Sequence, residues 1–153
     1  MPSEIKWVKD NVVEISGEID EFFPFDELFN EPPEEFYIDT SKVTRLNSVG
    51  IREWVQKTMK LTSKFHLINT CPEMVIACSQ ITQMLGENGV MDSFYLSFDC
   101  DDCEHEQLVF FKVGKDIQRG QESYQEPDPV PCPECEGSMC FSYGAEIFSS
   151  FLS

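Results

Sequence analysis

The chain has 153 residues, 41% of them hydrophobic, and a formal net charge of −17. That length suits one ordinary domain or two small ones, and the apolar fraction calls for a folded core rather than disorder. A surface this acidic repels phosphate backbones, which disfavours sequence-independent binding of nucleic acid.

The charge is shared by both halves. Residues 1–95 carry 16 acids and 8 bases, and residues 96–153 carry 12 acids and 3 bases. The opening Met1-Pro2-Ser3-Glu4 lacks a basic, then apolar, leader, and no apolar stretch approaches the ~20 residues that span a bilayer. A cytoplasmic protein with no membrane partner is expected. That compartment keeps thiols reduced and favours metal binding over disulfides for paired cysteines.

In chain order, Ile5 to Val8 and Val12 to Ser16 read as two strands of a hairpin around Lys9-Asp10-Asn11, with Gly17 as the stop. Phe22, Phe23, Phe25, Leu28 and Phe29 surround Pro24 and leave room for a short helix from about Asp26. Pro32-Pro33 breaks it. Phe36 to Asp39 is a buried strand, followed by a turn through Ser41 to Leu46. Ile51, Trp54, Val55, Met59 and Leu61 recur at helical spacing and predict a helix over 48–62. Phe65 to Asn69 is a further strand. Thr70-Cys71-Pro72-Glu73 has the form of a capping box opening a helix to about Leu85, with Gly86 as its stop. Phe94 to Phe98 is the last strand of this part. Strands alternating with helices imply a mixed sheet with helices packed on it, an α/β fold.

Composition changes near residue 97. Cys100-Asp101-Asp102-Cys103 and Cys132-Pro133-Glu134-Cys135 are two C-x2-C steps, each between strand-like runs: Phe94 to Asp99, Gln107 to Val113 and Met139 to Tyr143. Four thiolates at tetrahedral corners close a structural zinc site with no open position. This is the layout of a zinc ribbon, and a segment with so few aliphatic residues needs such a staple. His105 is not required as a ligand. Cys71, Cys78 and Cys140 fall outside the pattern and read as small packing residues. Gly114 to Pro131 reads as a long mobile loop. Ala145, Phe148, Phe151 and Leu152 share a helical face that docks on the ribbon or contacts a second subunit.

Three stretches of the first part resemble a STAS domain, the fold of bacterial anti-sigma-factor antagonists. Val13-Glu14-Ile15-Ser16-Gly17-Glu18-Ile19-Asp20 resembles the second strand and its G-E-[LI]-D turn. Tyr37 through Ile51 resembles the strand-loop-helix segment ending in D-S-[ST]-G-[LI]. Asn69 through Leu85 resembles the later strand-to-helix passage. The resemblance implies that residues 1–98 form a STAS-like domain, leaving 99–153 as the zinc-ribbon-like part with its short C-terminal helix.

In that family a serine of the D-S-[ST]-G motif is phosphorylated by a partner serine kinase, and Ser48 stands in its place. Asn47 replaces the aspartate and Val49 the second hydroxyl residue. Ser48 is otherwise read as a helix cap. The partner surface implied by the resemblance comprises Asp20, Phe22, Phe23, Asn47, Ser48, Val49 and Gly50. Phe22 and Phe23 are read first as core residues and as a partner patch if exposed.

No P-loop, dinucleotide glycine fingerprint or G-x-S-x-G is present, and His66, between Phe65 and Leu67, reads as a satisfied strand residue rather than a base. The expectation is a non-enzymatic, protein-binding regulator whose partner is a serine kinase or anti-sigma factor, with homodimer formation left open. The alternative is a zinc-ribbon adaptor contacting the transcription machinery or nucleic acid, for which Lys112, Lys115 and Arg119 supply little positive charge.

Overall fold

Alternation along the first strands sets the architecture. Val13, Ile15 and Ile19 are fully buried, while Val12, Glu14 and Ser16 on the opposite face are half-buried. The computed structural model describes residues 3–152, so the reading of Met1-Pro2 lies outside them.

β1 (Glu4–Lys9) and β2 (Val12–Ile19) form the expected antiparallel hairpin. Gly17 does not end β2. It lies within the strand at φ 92, beside register shifts that bend the ladder, a conformation open to glycine and strained for other residues. The short helix α1 (Phe25–Phe29) buries Phe25, Leu28 and Phe29.

β3 (Glu35–Leu46) is longer than the sequence suggests. The expected turn over Ser41 to Leu46 is instead strand, with Lys42, Val43, Arg45 and Leu46 pairing in parallel with Ser16 to Ile19. The extended β2 offers unpaired backbone there, and taking up those hydrogen bonds outweighs the local turn preference of Ser41.

Next come α2 (Ser48–Met59), β4 (Lys64–Ile68), α3 (Pro72–Gln80) and β5 (Gly89–Met91). The capping box is not formed. Cys71 is the N-cap residue without a side-chain bond, and Thr70 is drawn into a bridge with Phe94, its hydroxyl buried and unpartnered. Nor does α3 reach Leu85. Ile81 is extended, and a 3-10 turn over Thr82–Met84 turns the Met84 carbonyl onto the buried Trp54 indole at 2.9 Å.

The first sheet has the order β1-β2-β3-β4-β5, parallel from β2 onward. Phe94 to Phe98 is not its last strand; that place belongs to Gly89–Met91, too short and glycine-led to stand out in sequence. The chain passes through Asp92 into β6 (Ser93–Cys100), the central strand of a second, antiparallel sheet with β7 (Glu106–Lys112), β8 (Val130–Pro131) and β9 (Ser138–Phe141), in the order β7-β6-β9-β8.

Residues 114–131 are not a free loop. Arg119 Nη2 donates to the Met91 carbonyl at 2.6 Å, Gly120 N–H to Leu152 at 2.6 Å, and the Tyr124 hydroxyl to Leu152 at 3.1 Å. A 3-10 turn (Ala145–Ile147) leads into α4 (Phe148–Phe151), which buries Phe148 and Phe151 within the chain.

One apolar core runs through both sheets. α3 packs on β3 on one side and on β6 and α4 on the other. The second part has an interior after all, and it is aromatic. Phe148 contacts the rings of Phe94, Phe111, Tyr124, Phe141 and Phe151 at centroid distances of 5.5–6.4 Å. The tightest helix-to-strand approach is at Gly50, where a Cβ would lie 2.0 Å from the Ile19 carbonyl oxygen. Backbone cannot yield as a side chain does, so Gly50→Ala is expected to lower unfolding free energy by about 2–3 kcal/mol in urea titration.

Candidate metal centre

The two cysteine steps meet because β6 and β9 are paired. Cys100 ends β6 opposite Met139, and Met139 lies opposite Val130 of β8, whose strand leads directly into Cys132. Each step turns tightly. Glu104 adopts φ 62 and donates its N–H to the Cys100 carbonyl at 2.9 Å, while Cys100 N–H donates to His105 at 2.8 Å. In the second step Cys132 N–H donates to the Gly137 carbonyl at 3.0 Å, and Gly137 N–H points at Cys135 Sγ at 3.3 Å.

The sulfurs of Cys100, Cys103, Cys132 and Cys135 all lie within 4.8 Å of one another. Cys100–Cys135 and Cys103–Cys132 are each separated by 3.6 Å. A tetrahedral ion with bonds of about 2.3 Å requires sulfurs about 3.8 Å apart, whereas a disulfide requires about 2.05 Å. The set fits a four-coordinate ion, and all seven cysteines are free thiols. Cys100 and Cys132 are buried, Cys135 is half-buried and Cys103 is exposed. His105 is not part of the group.

Crowded thiols resist shared ionisation. The backbone N–H of His105 favours the Cys103 thiolate, but partial loss of water on its inner side and the three neighbouring sulfurs prevail and push its pKa up to about 12. Burial opposes ionisation of Cys132, yet the N–H groups of Glu134 and Cys135, with the thiols of Cys103 and Cys135, bring it down to about 7. Cys135 is raised: the Gly137 N–H favours its thiolate, but Cys100 and burial act against it. A cation at the centre would favour all four thiolates together.

The sequence reading did not single out Gly137 or Asp102. A Cβ at 137 would lie 2.4 Å from Asp102 Oδ2, so the absent side chain admits that carboxylate beside Cys135. Its signal was the glycine two residues after the last ligand. Of the cysteines outside the site, Cys71 and Cys78 are buried as expected, and burial pushes their pKa values up to about 11 and about 12. Cys140 is exposed and is not a packing residue, because its place opposite Asp99 puts it on the outer face of the second sheet.

The other candidate residues gather where β2 and β3 end and α2 begins. Asn47, not Ser48, caps α2: its Oδ1 accepts from Gly50 N–H at 2.8 Å. Ser48 is the first helical residue, and it is exposed. Asn47 Nδ2 donates to Glu21 Oε2 at 3.0 Å, and that bond, with Glu21's own backbone N–H, holds the Glu21 carboxyl below its ordinary pKa. Asp20 Oδ1 accepts from Phe22 N–H at 2.9 Å. Val49 is half-buried and Gly50 is buried. The phenylalanines divide: Phe23 is in the core at 4% exposure, while Phe22 is 83% exposed.

His66 is a further polar centre that spacing did not reveal. It is buried against Tyr37 with ring centroids 4.4 Å apart. Its Nε2 lies 2.6 Å from Glu35 Oε2, and Asp92 Oδ2 lies 2.8 Å from Nδ1 without hydrogen-bond alignment. The His66 hydrogen bond lowers the pKa of Glu35.

The chain matches no protein-family model, and neither a curated protein nor a solved structure matches it. Among the described residues, no helix is long and apolar enough to cross a membrane.

Two consequences of the four-sulfur geometry are measurable. Cys103→Ser and Cys135→Ser are each expected to abolish bound metal in elemental analysis, with Cys140→Ser retaining it. Because protons compete with the ion for thiolates, retention should be full at alkaline pH and fall as pH drops.

Proposed function

We propose that the protein is a non-catalytic regulatory module that binds a protein partner through the surface around Ser48, with Cys100, Cys103, Cys132 and Cys135 holding one structural zinc ion. Zinc suits the donor set, since it readily accepts four thiolates at tetrahedral corners and brings no redox chemistry. A closed set of four ligands leaves no position for an activated water, so the metal's part is to hold the second sheet in shape.

The observation that carries the reading is the meeting of the Gly17-Glu18-Ile19-Asp20 and Asn47-Ser48-Val49-Gly50 segments. Asn47 N–H donates to the Ile19 carbonyl at 3.1 Å, and Arg45 Nη2 pairs with Glu18 Oε1 at 2.9 Å. These are the segments whose sequences resemble the STAS motifs. The sheet order and hairpin are compatible with that resemblance, which extends to a serine kinase or anti-sigma factor as the partner.

The same geometry makes Ser48 a workable switch. It is exposed at the N-terminus of a 12-residue helix that has no acidic residue in its first turn. Its hydroxyl is open to a kinase, and a phosphate there meets the positive end of the helix dipole. The added charge of about −1.5 to −2 would enter next to Asn47, whose side-chain amide bonds the Glu21 carboxylate at 3.0 Å. It would thereby turn a mixed apolar and polar surface strongly anionic without unfolding the domain.

The test is a pull-down with wild type, Ser48→Ala and Ser48→Asp, read by mass spectrometry of the bound proteins. Wild type and Ser48→Ala are expected to recover the same partner and Ser48→Asp to lose it at least tenfold. Equal recovery by all three would refute the switch.

A further inference from the structure

Among the described residues β7 is an edge strand, with β6 as its one strand neighbour in the second sheet. The ladder fixes which backbone groups are free. Cys100 N–H bonds His105 and Val113 N–H bonds Asp92 at the two ends of the pairing. Odd-numbered residues of β7 therefore turn their N–H and C=O towards β6, and Glu106, Leu108 and Phe110 turn theirs outward. The outward groups of Lys112 are already taken, since its N–H bonds Asp116 Oδ2 at 2.8 Å and its carbonyl accepts from Lys115 and Asp116.

Edge strands are ordinarily protected by a charge, a proline or a bulge in their middle. Here the middle reads Gln107-Leu108-Val109-Phe110-Phe111, with regular pairing to β6 throughout. Leu108 is 50% exposed and Phe110 41%, on the same face as Tyr95, whose ring lies 5.1 Å from that of Phe110. Charge is confined to the ends: Glu104 and Glu106 at one, and Lys112 and Lys115, with Asp116 folded back onto the Lys112 N–H, at the other, all exposed.

We propose that β7 pairs antiparallel with β7 of a second copy of this chain, joining two four-stranded sheets across a two-fold axis at Leu108. Two outward-facing residues must oppose each other, and centring on Leu108 uses Glu106, Leu108 and Phe110 alike while leaving the occupied Lys112 outside the ladder. The arrangement sets Leu108 against its symmetry mate and brings the Phe110 and Tyr95 rings of both copies onto one face. It also places the acidic end of each strand beside the basic end of the other. That local complementarity acts at contact distance, whereas repulsion between the two −17 chains is screened over about 8 Å at physiological salt. A closed two-fold pairing uses up the edge in both copies and stops there, which an open stack would not.

The test is sedimentation equilibrium of the full chain, purified without chelators, from ~10 μM to ~500 μM, the range suited to a small interface. Wild type is expected to approach twice the 17.6 kDa chain mass. Leu108→Pro removes an outward N–H and leaves the β6 ladder intact, and Phe110→Lys places a charge in the middle of the edge; both should remain monomeric with an unchanged circular dichroism spectrum. Lys112→Glu should weaken dimerisation roughly tenfold, and adding Glu104→Lys, at the position the two-fold sets opposite residue 112, should restore it. Wild type monomeric throughout, or growing without limit into larger species, would overturn the proposal. So would a dimer that survives both Leu108→Pro and Phe110→Lys.

Discussion

The convergence of four sulfurs is the constraint on which the second half of the molecule depends. Two turns nearly 30 residues apart in the chain are brought within 4.8 Å of one another. They are otherwise joined by the short β6–β9 and β8–β9 ladders, of which β8 is two residues long, and by side-chain contacts such as Ser142 Oγ donating to Asp99 Oδ2 at 2.6 Å. Without a cation the four thiols do not ionise together, since Cys103 and Cys135 are held in the neutral form by their neighbours. With a cation they become a cross-link that fixes where β9 lies on β6 and closes the 114–131 segment into a loop.

The opposite end of the second sheet is held by different physics. Phe94, Phe98, Phe111, Phe141, Phe148 and Phe151 form an aromatic interior continuous with the core of the first sheet. Such rings bury large areas each and tolerate tilted and edge-on contacts, so few residues suffice to fill the space. α3 is the common wall, with one face on β3 and another on β6 and α4. Residues assigned by sequence to two parts therefore share one interior, and a change at Phe94 would be felt on both sides of it.

What the sequence made legible follows from the range of each signal. The hairpin, α2, β4 and the cysteine group rest on periodicity or fixed spacing, which are local, and all are present. Misreadings arose where distant backbone decided the outcome: Ser41 to Leu46 became strand because β2 is long, and Thr70 was taken from its capping role by pairing with Phe94. β5 escaped notice because three residues carry no period. At the Ser48 surface the motif positions were readable, but only geometry showed that Asn47 is the cap and that Phe22 and Phe23 part company, one to solvent and one to the core. The His66 cluster joins β4 to Glu35 and Tyr37 of β3 and to Asp92 at the junction of β5 and β6, and no spacing within the chain announces it.

The most direct test of the account is metal analysis of protein purified without chelators, combined with thermal unfolding before and after the metal is stripped. The account predicts one zinc per chain and a large drop in melting temperature on removal, with loss of the second sheet. Protein that contains no metal and melts at the same temperature with or without chelator would contradict it.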